Sequence, residues 1–223
     1  LIIVARRKEL LEELKESLKT NVEIATLDVG KKENCYKLFE NHKDIDLLVN
    51  NAGFGLFGHF TDTELEKELN MIEVNINAVH ILTKLYLQEM IKRDSGHILN
   101  VASIAGFMVG PLMATYYATK NYVVALTRGI NKELKKKKSK VKLSVLCPGP
   151  VKTEFNNVAG VKFALRGLTS EYVAKYAIDK TLKNKEVILP GFTIKLAKLS
   201  SKLVPDPIVI ETAYHMQKSK NNK

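Results

Sequence analysis

Apolar residues recur along this chain in two alternating rhythms, one suited to strands and one to helices. Leu1 to Ala5 is a continuous apolar run and reads as a buried strand. In Arg7 to Lys19, Leu10, Leu11, Leu14 and Leu18 recur at helical spacing. Val22 to Leu27 alternates as a strand ending at Asp28, and Lys31 to His42 reads as a second helix. Asp46 to Val49 begins a short apolar strand that runs out into Asn50-Asn51-Ala52-Gly53. Thr63 to Arg93 reads as mostly helical, in two pieces, before a turn at Ser95-Gly96 and a strand from His97 to Val101. A long helix from Thr115 to Lys137 precedes a strand, Val141 to Leu146, that Pro148, Gly149 and Pro150 stop. Ser170 to Leu182 reads as a helix and Glu186 to Leu189 as a last short strand. Two more helices, Phe192 to Val204 and Ile208 to Lys218, are separated by Pro205 and Pro207.

Apolar strands separated by helices predict an α/β fold: a doubly wound parallel sheet with helices on both faces. Ligands of such sheets bind in the crevice at the carboxyl ends of the strands. The strand ends here are Arg6-Arg7, Asp28, Asn50 to Gly53, Ser103 to Gly106 and Pro148 to Thr153, and the pattern puts all five on one edge. No internal repeat or linker interrupts the chain, so residues 1–223 read as a single domain.

Composition narrows the function. With 45% hydrophobic and 26% charged residues, the chain is neither disordered nor collagen-like. The two cysteines, Cys35 and Cys147, are far apart and in no metal-like spacing, which favours a reducing, cytoplasmic setting over a disulfide framework. The five histidines are scattered and include no i, i+4 pair, so a metal site is not supported. The net charge of +11 is partly concentrated in Lys132, Lys135, Lys136, Lys137, Lys138, Lys140 and Lys142. No aromatic residue interleaves these lysines, so a solvated helix end is favoured over specific nucleic-acid binding. The apolar opening at Leu1 is too short for a signal peptide or a membrane span, and it reads as a strand entered in mid-fold.

The ordered set N-N-A-G (Asn50 to Gly53), N-I-N-A (Asn75 to Ala78), A-S-I-A-G (Ala102 to Gly106), Y-Y-A-T-K (Tyr116 to Lys120) and P-G-P-V-K-T (Pro148 to Thr153) resembles a short-chain dehydrogenase/reductase. The likeness covers nearly the whole chain, and Ser103 precedes Tyr116 by the 13 residues usual in that family. It implies a Rossmann-like fold and hydride transfer between a nicotinamide and a carbonyl or alcohol carbon. A non-enzymatic dinucleotide-binding sensor or scaffold on the same fold is the alternative. Tyrosine is a poor acid–base catalyst near neutrality unless its anion is stabilised. Lys120 lies four residues after Tyr116 on the same helical face and can supply that stabilisation. Tyr117 has Asn121 in the equivalent place, which selects Tyr116. By resemblance, Ser103 orients the substrate oxygen, Lys120 also holds the nicotinamide ribose, and Asn75, rather than Asn77, anchors a water on the proton path.

The family's glycine-rich turn, T-G-x-x-x-G-x-G, is absent from this sequence. The strand and helix that carry it are expected before Leu1, in a unit of roughly 30–40 residues. The remaining cofactor positions implied by the resemblance are Arg6, Arg7, Asp28, Val29, Asn50, Ala52, Gly53, Tyr116, Lys120, Pro148, Gly149, Val151 and Thr153. Arg6 and Arg7, with no acid before Glu9, favour NADP(H) over NAD(H), because arginine pairs with a 2′-phosphate. Residues 154–168 are expected to form a substrate lid, and 191–223 a helical extension. Phe54, Met108, Phe155 and Phe163 would line an apolar pocket for a small-molecule ketone, aldehyde or alcohol, with Leu56, Val109 and Leu112 nearby. The stretch Asn50 to Phe60 and the tail Lys195 to Tyr214 are similar to the subgroup named for DltE, near the 17β-hydroxysteroid and 3-oxoacyl reductases. The resemblance also implies a homo-oligomer. Packing of Phe192 to Val204 on protein is favoured over contact with a membrane surface.

Overall fold

Successive residues of the strand His97–Val101 are buried against opposite layers of the molecule. Ile98 packs into a cluster with Leu38 and Phe39 of one helix and Leu82, Tyr86 and Met90 of another. Leu99 faces the other way, onto Val173 and Ala177. A strand with apolar residues on both sides can be stable only between two helical layers. A computed structural model of the chain describes residues 1–155, 159–160 and 167–218.

Eight strands are present among those residues: β1 (Ile2–Ala5), β2 (Glu23–Thr26), β3 (Leu47–Asn50), β4 (His97–Val101), β5 (Lys142–Leu146), β6 (Val151–Lys152), β7 (Leu168–Thr169) and β8 (Val187–Ile188). The helices are α1 (Lys8–Ser17), α2 (Lys32–Asn41), α3 (Leu65–Ile72), α4 (Val79–Lys92), α5 (Ala114–Lys136), α6 (Ser170–Leu182), α7 (Phe192–Leu203) and α8 (Asp206–Lys218). Every strand pairing is parallel, and helices α2, α4, α5 and α6 cover the central strands from both sides. This is the Rossmann-like α/β architecture that the alternation predicts.

Three local features differ from the sequence reading. The strands do not form one hydrogen-bonded sheet. β3-β4-β5-β8 is one unit, β1 pairs only with β2, and β6 pairs with β7. The β6–β7 pair, two residues per strand, is too short to carry a period of two in the sequence. The helical stretch from Leu65 to Lys92 is not divided by a turn. It passes from α3 to α4 through a π-helical turn, Glu73–Ala78, which contains no glycine or proline to break it.

The sheet contains a buried polar seam. Asn50 and Asn100 are opposite one another in the β3–β4 ladder, and Asn50 Nδ2 donates to Asn100 Oδ1 at 2.8 Å. Asn50 Nδ2 also donates to Thr83 Oγ1 (3.1 Å), and Asn100 Nδ2 to Thr127 Oγ1 (2.9 Å). The seam ties the sheet to α4 and α5, and three of its four amide N–H donors are engaged at good length, which limits the cost of burying them. The lysine run begins at the C-terminal end of α5, where cations suit the helix dipole, and Lys135 pairs there with Glu186 at 2.8 Å.

Candidate active site

The carboxyl end of β4 and the first turns of α5 bring the central residues together. Ser103 follows β4 and caps a 3₁₀ turn, Ile104–Phe107, its Oγ accepting from the Ala105 N–H at 3.2 Å. The turn lies close against α5 because Gly106 has no side chain. A Cβ there would stand 2.7 Å from the Lys120 carbonyl oxygen and 2.6 Å from Val124 Cγ2. Tyr116 and Lys120 are both buried on α5, one turn apart. The Ser103 hydroxyl lies beside the Tyr116 phenol and favours its ionised form, and Lys120 Nζ lies 5.8 Å from the Tyr116 ring centroid. Lys120 Nζ donates to the carbonyl of Val101, the last residue of β4, at 3.1 Å.

Burial works against charge on both groups. It pushes the Tyr116 phenol up to about 12; the neighbouring Ser103 hydroxyl opposes this, and Tyr117 adds to it. Burial also pulls the Lys120 ammonium down to about 8, opposed by the nearby Cys147 thiol, which is itself pushed up to about 12 by burial. The arrangement keeps the proton on the tyrosine oxygen and places a titratable cation beside it.

Asn75 sits in the π-helical turn and is fully buried. Its Nδ2 donates to Phe54 O (2.9 Å) and Thr119 Oγ1 (3.0 Å), and its Oδ1 accepts from Phe54 N (3.1 Å). Thr119 Oγ1 in turn donates to Tyr116 O at 2.7 Å. Asn75 thus pins the segment after β3 to the turn of α5 that carries Tyr116. Both of its N–H donors are engaged, so a water held here would use Oδ1 or the main chain.

The other positions implied for the cofactor divide into two sets. Ala52 and Gly53 are exposed along the crevice. A Cβ on Gly53 would lie 3.0 Å from Asn75 Oδ1 and 3.1 Å from Lys120 Nζ, so the glycine keeps the approach to the lysine open. The buried Lys120 ammonium has three donors and, among the described residues, the one acceptor Val101 O. These features fit the ribose of a nicotinamide cofactor. Arg6 is exposed at the end of β1, and Arg7 Nη2 pairs with Glu154 Oε2 at 2.9 Å. Asp28 Oδ1 accepts from Gly30 N (2.9 Å), and Val29 O accepts from the Cys35 thiol (3.2 Å), so both shape the turn after β2. Asn50 turns its side chain into the buried seam and away from the crevice. Pro148 O receives the Ile104 N–H at 2.8 Å, joining the ends of β4 and β5. Gly149 is covered by Ile194 of α7. Val151 lies in β6, and Thr153 Oγ1 accepts from Phe155 N at 3.3 Å.

Of the substrate candidates, Phe54 and Phe155 pack in one cluster with Tyr116, Met71 and Met113, the Phe155 and Tyr116 rings 5.5 Å apart. Met108 lies elsewhere. With Val109 and Tyr117 it borders a separate cavity of about 420 Å³, because its loop passes the other side of α5. Phe163 lies outside the described residues, as does much of the expected lid. The sequence reading did not single out Thr119 or Asn121 for structural roles. Asn121 Nδ2 donates to the carbonyls of Ala105, Met108 and Tyr117 at 2.9–3.0 Å and fixes the Ser103 turn to α5. Its one signal in the sequence is a polar residue in a buried helical stretch.

The family model for short chain dehydrogenases matches residues 1–164. The chain belongs to the short-chain dehydrogenase family. An uncharacterized oxidoreductase of Staphylococcus epidermidis is 34% identical over 157 residues, 69% of this chain and 67% of that protein. Among solved structures, a short-chain dehydrogenase from Sphingobium yanoikuyae in complex with NADPH superposes with a TM-score of 0.79 at 23% identity, covering 91% of this chain and 83% of that one. A family member from Burkholderia phymatum in complex with NAD gives 0.80 at 22% identity, covering 89% and 82%. At such identities the structural likeness bears on the fold. Family membership supports an oxidoreductase and implies a nicotinamide cofactor, and the scaffold alternative is not favoured.

Proposed function

We propose that this short-chain dehydrogenase interconverts a carbonyl and an alcohol on a mainly apolar substrate, with Tyr116 as the acid–base group and NADP(H) as cofactor. The observation that carries the reading is the convergence of the Ser103 hydroxyl and the Lys120 ammonium on the buried Tyr116 phenol. The nicotinamide, when bound, supplies or accepts the hydride. In reduction, the substrate oxygen takes a hydrogen bond from Ser103 and the proton of the Tyr116 hydroxyl. Lys120, charged below about pH 8, stabilises the phenolate left behind. Lys120 also has donors available for the cofactor's ribose hydroxyls. Phe54, Phe155, Met71 and Met113 exclude water around the phenol and favour an apolar ketone or aldehyde.

Arg6 and Arg7 support the NADP(H) reading: they stand at the end of β1, where a 2′-phosphate would meet them. Glu154 now neutralises Arg7, and a phosphate would compete for the same guanidinium. The test is kcat/KM of the full-length protein with NADPH and with NADH on a panel of apolar ketones. A charge-assisted contact is worth about 1.5–3 kcal/mol, so a preference for NADPH of roughly 10- to 150-fold is expected, lost in Arg6→Asp/Arg7→Asp. Equal use of both cofactors by the wild type would show that the arginines only open α1.

A further inference from the structure

Among the described side chains of α7, Ile194 and Lys198 turn into the protein and several others turn out of it. Ile194 is buried against Gly149, and Lys198 reaches inward until its Nζ lies 4.4 Å from the Phe107 ring centroid. Phe192, Leu196 and Leu199, at helical positions i, i+4 and i+7, share the opposite side and are 79%, 55% and 55% exposed. Exposed Lys195 flanks this stripe, and Ile208 of α8 is also 57% exposed. Large apolar residues gathered on one outward face mark a surface that meets a partner.

Charge decides which partner fits. The outward face of α7 carries the exposed Lys195, and the segment Phe192 to Leu203 holds no acid, in a chain of net charge +11. A second copy docking through the same face would bring like charges together across a symmetric interface. A surface of anionic lipid headgroups would attract them, while the apolar stripe enters the boundary with the acyl chains. Lysine suits this boundary, because its stem lies along apolar surface and its ammonium stays in water. No helix among the described residues is long and apolar enough to cross a membrane, which leaves an orientation in the plane of the surface.

We infer that the outward face of α7, built on Phe192, Leu196 and Leu199 and flanked by Lys195, docks the protein on an anionic lipid bilayer. The inference does not depend on the catalytic reading. It has a consequence for substrate supply. Phe107, reached from α7, and Val209 and Ile210 of α8 border the cavity of about 420 Å³ together with Asn121 and Asp206, so docking brings this mixed cavity close to the lipid.

The experiment is sedimentation of the purified full-length protein with vesicles of phosphatidylcholine alone and of phosphatidylcholine with about 30% phosphatidylserine, at low and high salt. The wild type is expected to sediment with the anionic vesicles and less so at high salt. Leu196→Gln/Leu199→Gln is expected to weaken partitioning about tenfold or more, and Lys195→Glu to weaken it on anionic vesicles alone. These positions are exposed, and an unchanged thermal melt confirms that folding is intact. Failure of the wild type to sediment with anionic vesicles overturns the inference, as does equal partitioning of the double-leucine variant. A wild-type dimer that this variant dissolves, with no vesicle binding, would assign the face to a second copy instead.

Discussion

Tyr116 and Tyr117 are adjacent on α5, with ring centroids 6.1 Å apart and both packed on one apolar cluster, yet their hydroxyls meet different surroundings. Tyr116 faces Ser103, Lys120 and the Phe54–Phe155 cluster. Tyr117 faces the cavity beneath α8, where its hydroxyl accepts from Gln217 Nε2 at 3.0 Å. Burial raises the pKa of both phenols, so burial alone does not distinguish them. The distinction lies one turn further along the helix. Lys120 accompanies Tyr116 and offers a charge, whereas Asn121 accompanies Tyr117 and spends its amide on three backbone carbonyls. One side of α5 is arranged for proton transfer and the other for holding loops in place.

The most severe test of this division exchanges the two hydroxyls for hydrogen. Tyr116→Phe is expected to lower kcat by about 10³-fold or more while cofactor binding persists, and Tyr117→Phe by less than about threefold. Near wild-type turnover in Tyr116→Phe would break the comparison outright.

The residues four places on extend it. Lys120→Met should lower kcat about 10²-fold and weaken cofactor binding, yet leave the fold at least as stable at neutral pH. The folded-state pKa of Lys120 is depressed to about 8, so below that pH the native protein carries the full cost of a buried cation. Between about pH 8 and the usual lysine value the unfolded chain binds the extra proton, and wild-type stability from this group rises with pH. The advantage of Lys120→Met, of order 3 kcal/mol at neutral pH, should therefore shrink through that window. Asn121→Ala should do the reverse: a loss of about 1–3 kcal/mol in stability, with a smaller change in kcat per folded molecule. Chemical denaturation at several pH values, run beside turnover, separates the two outcomes.

The mildest effect is on the pH profile. Carbonyl reduction should decline as pH rises through about 8, by no more than about tenfold per unit, as Lys120 loses its proton. Lys120→Met should lack that step. A wild-type profile flat from about pH 7 to about pH 9 would detach Lys120 from the chemistry.

The comparison also shows which features were legible in the sequence. Long periodic segments are read closely: His97–Val101 and Ser170–Leu182 match the expected bounds residue for residue. The Tyr116–Lys120 relation is legible because helical geometry converts a spacing of four into a shared face. Met108 shows the limit of such reading. It follows the Ser103 turn in an irregular loop, where no period says which side of α5 the chain will pass. The roles of Asn100, Thr83 and Thr127 were hidden for another reason. A single polar residue in an apolar stretch shows its function only when its partners, here 17 to 50 residues distant, are assembled around it. The π-helical turn at Asn75 likewise leaves no mark in composition, since Glu73–Ala78 is ordinary helical sequence.

The polar seam works as a check on correct assembly. Asn50 and Asn100 face each other across β3 and β4, and Gly53 and Ser103 follow each of them by three residues. If β3 slid by one residue, its side chains would change faces and Asn50 would lose both its partners in a dry interior. A misaligned sheet is thereby penalised at the one point where misalignment would put the glycine and the serine out of step. The asparagine pair proofreads the pairing of the two strands, and the levelness of the crevice floor follows from it.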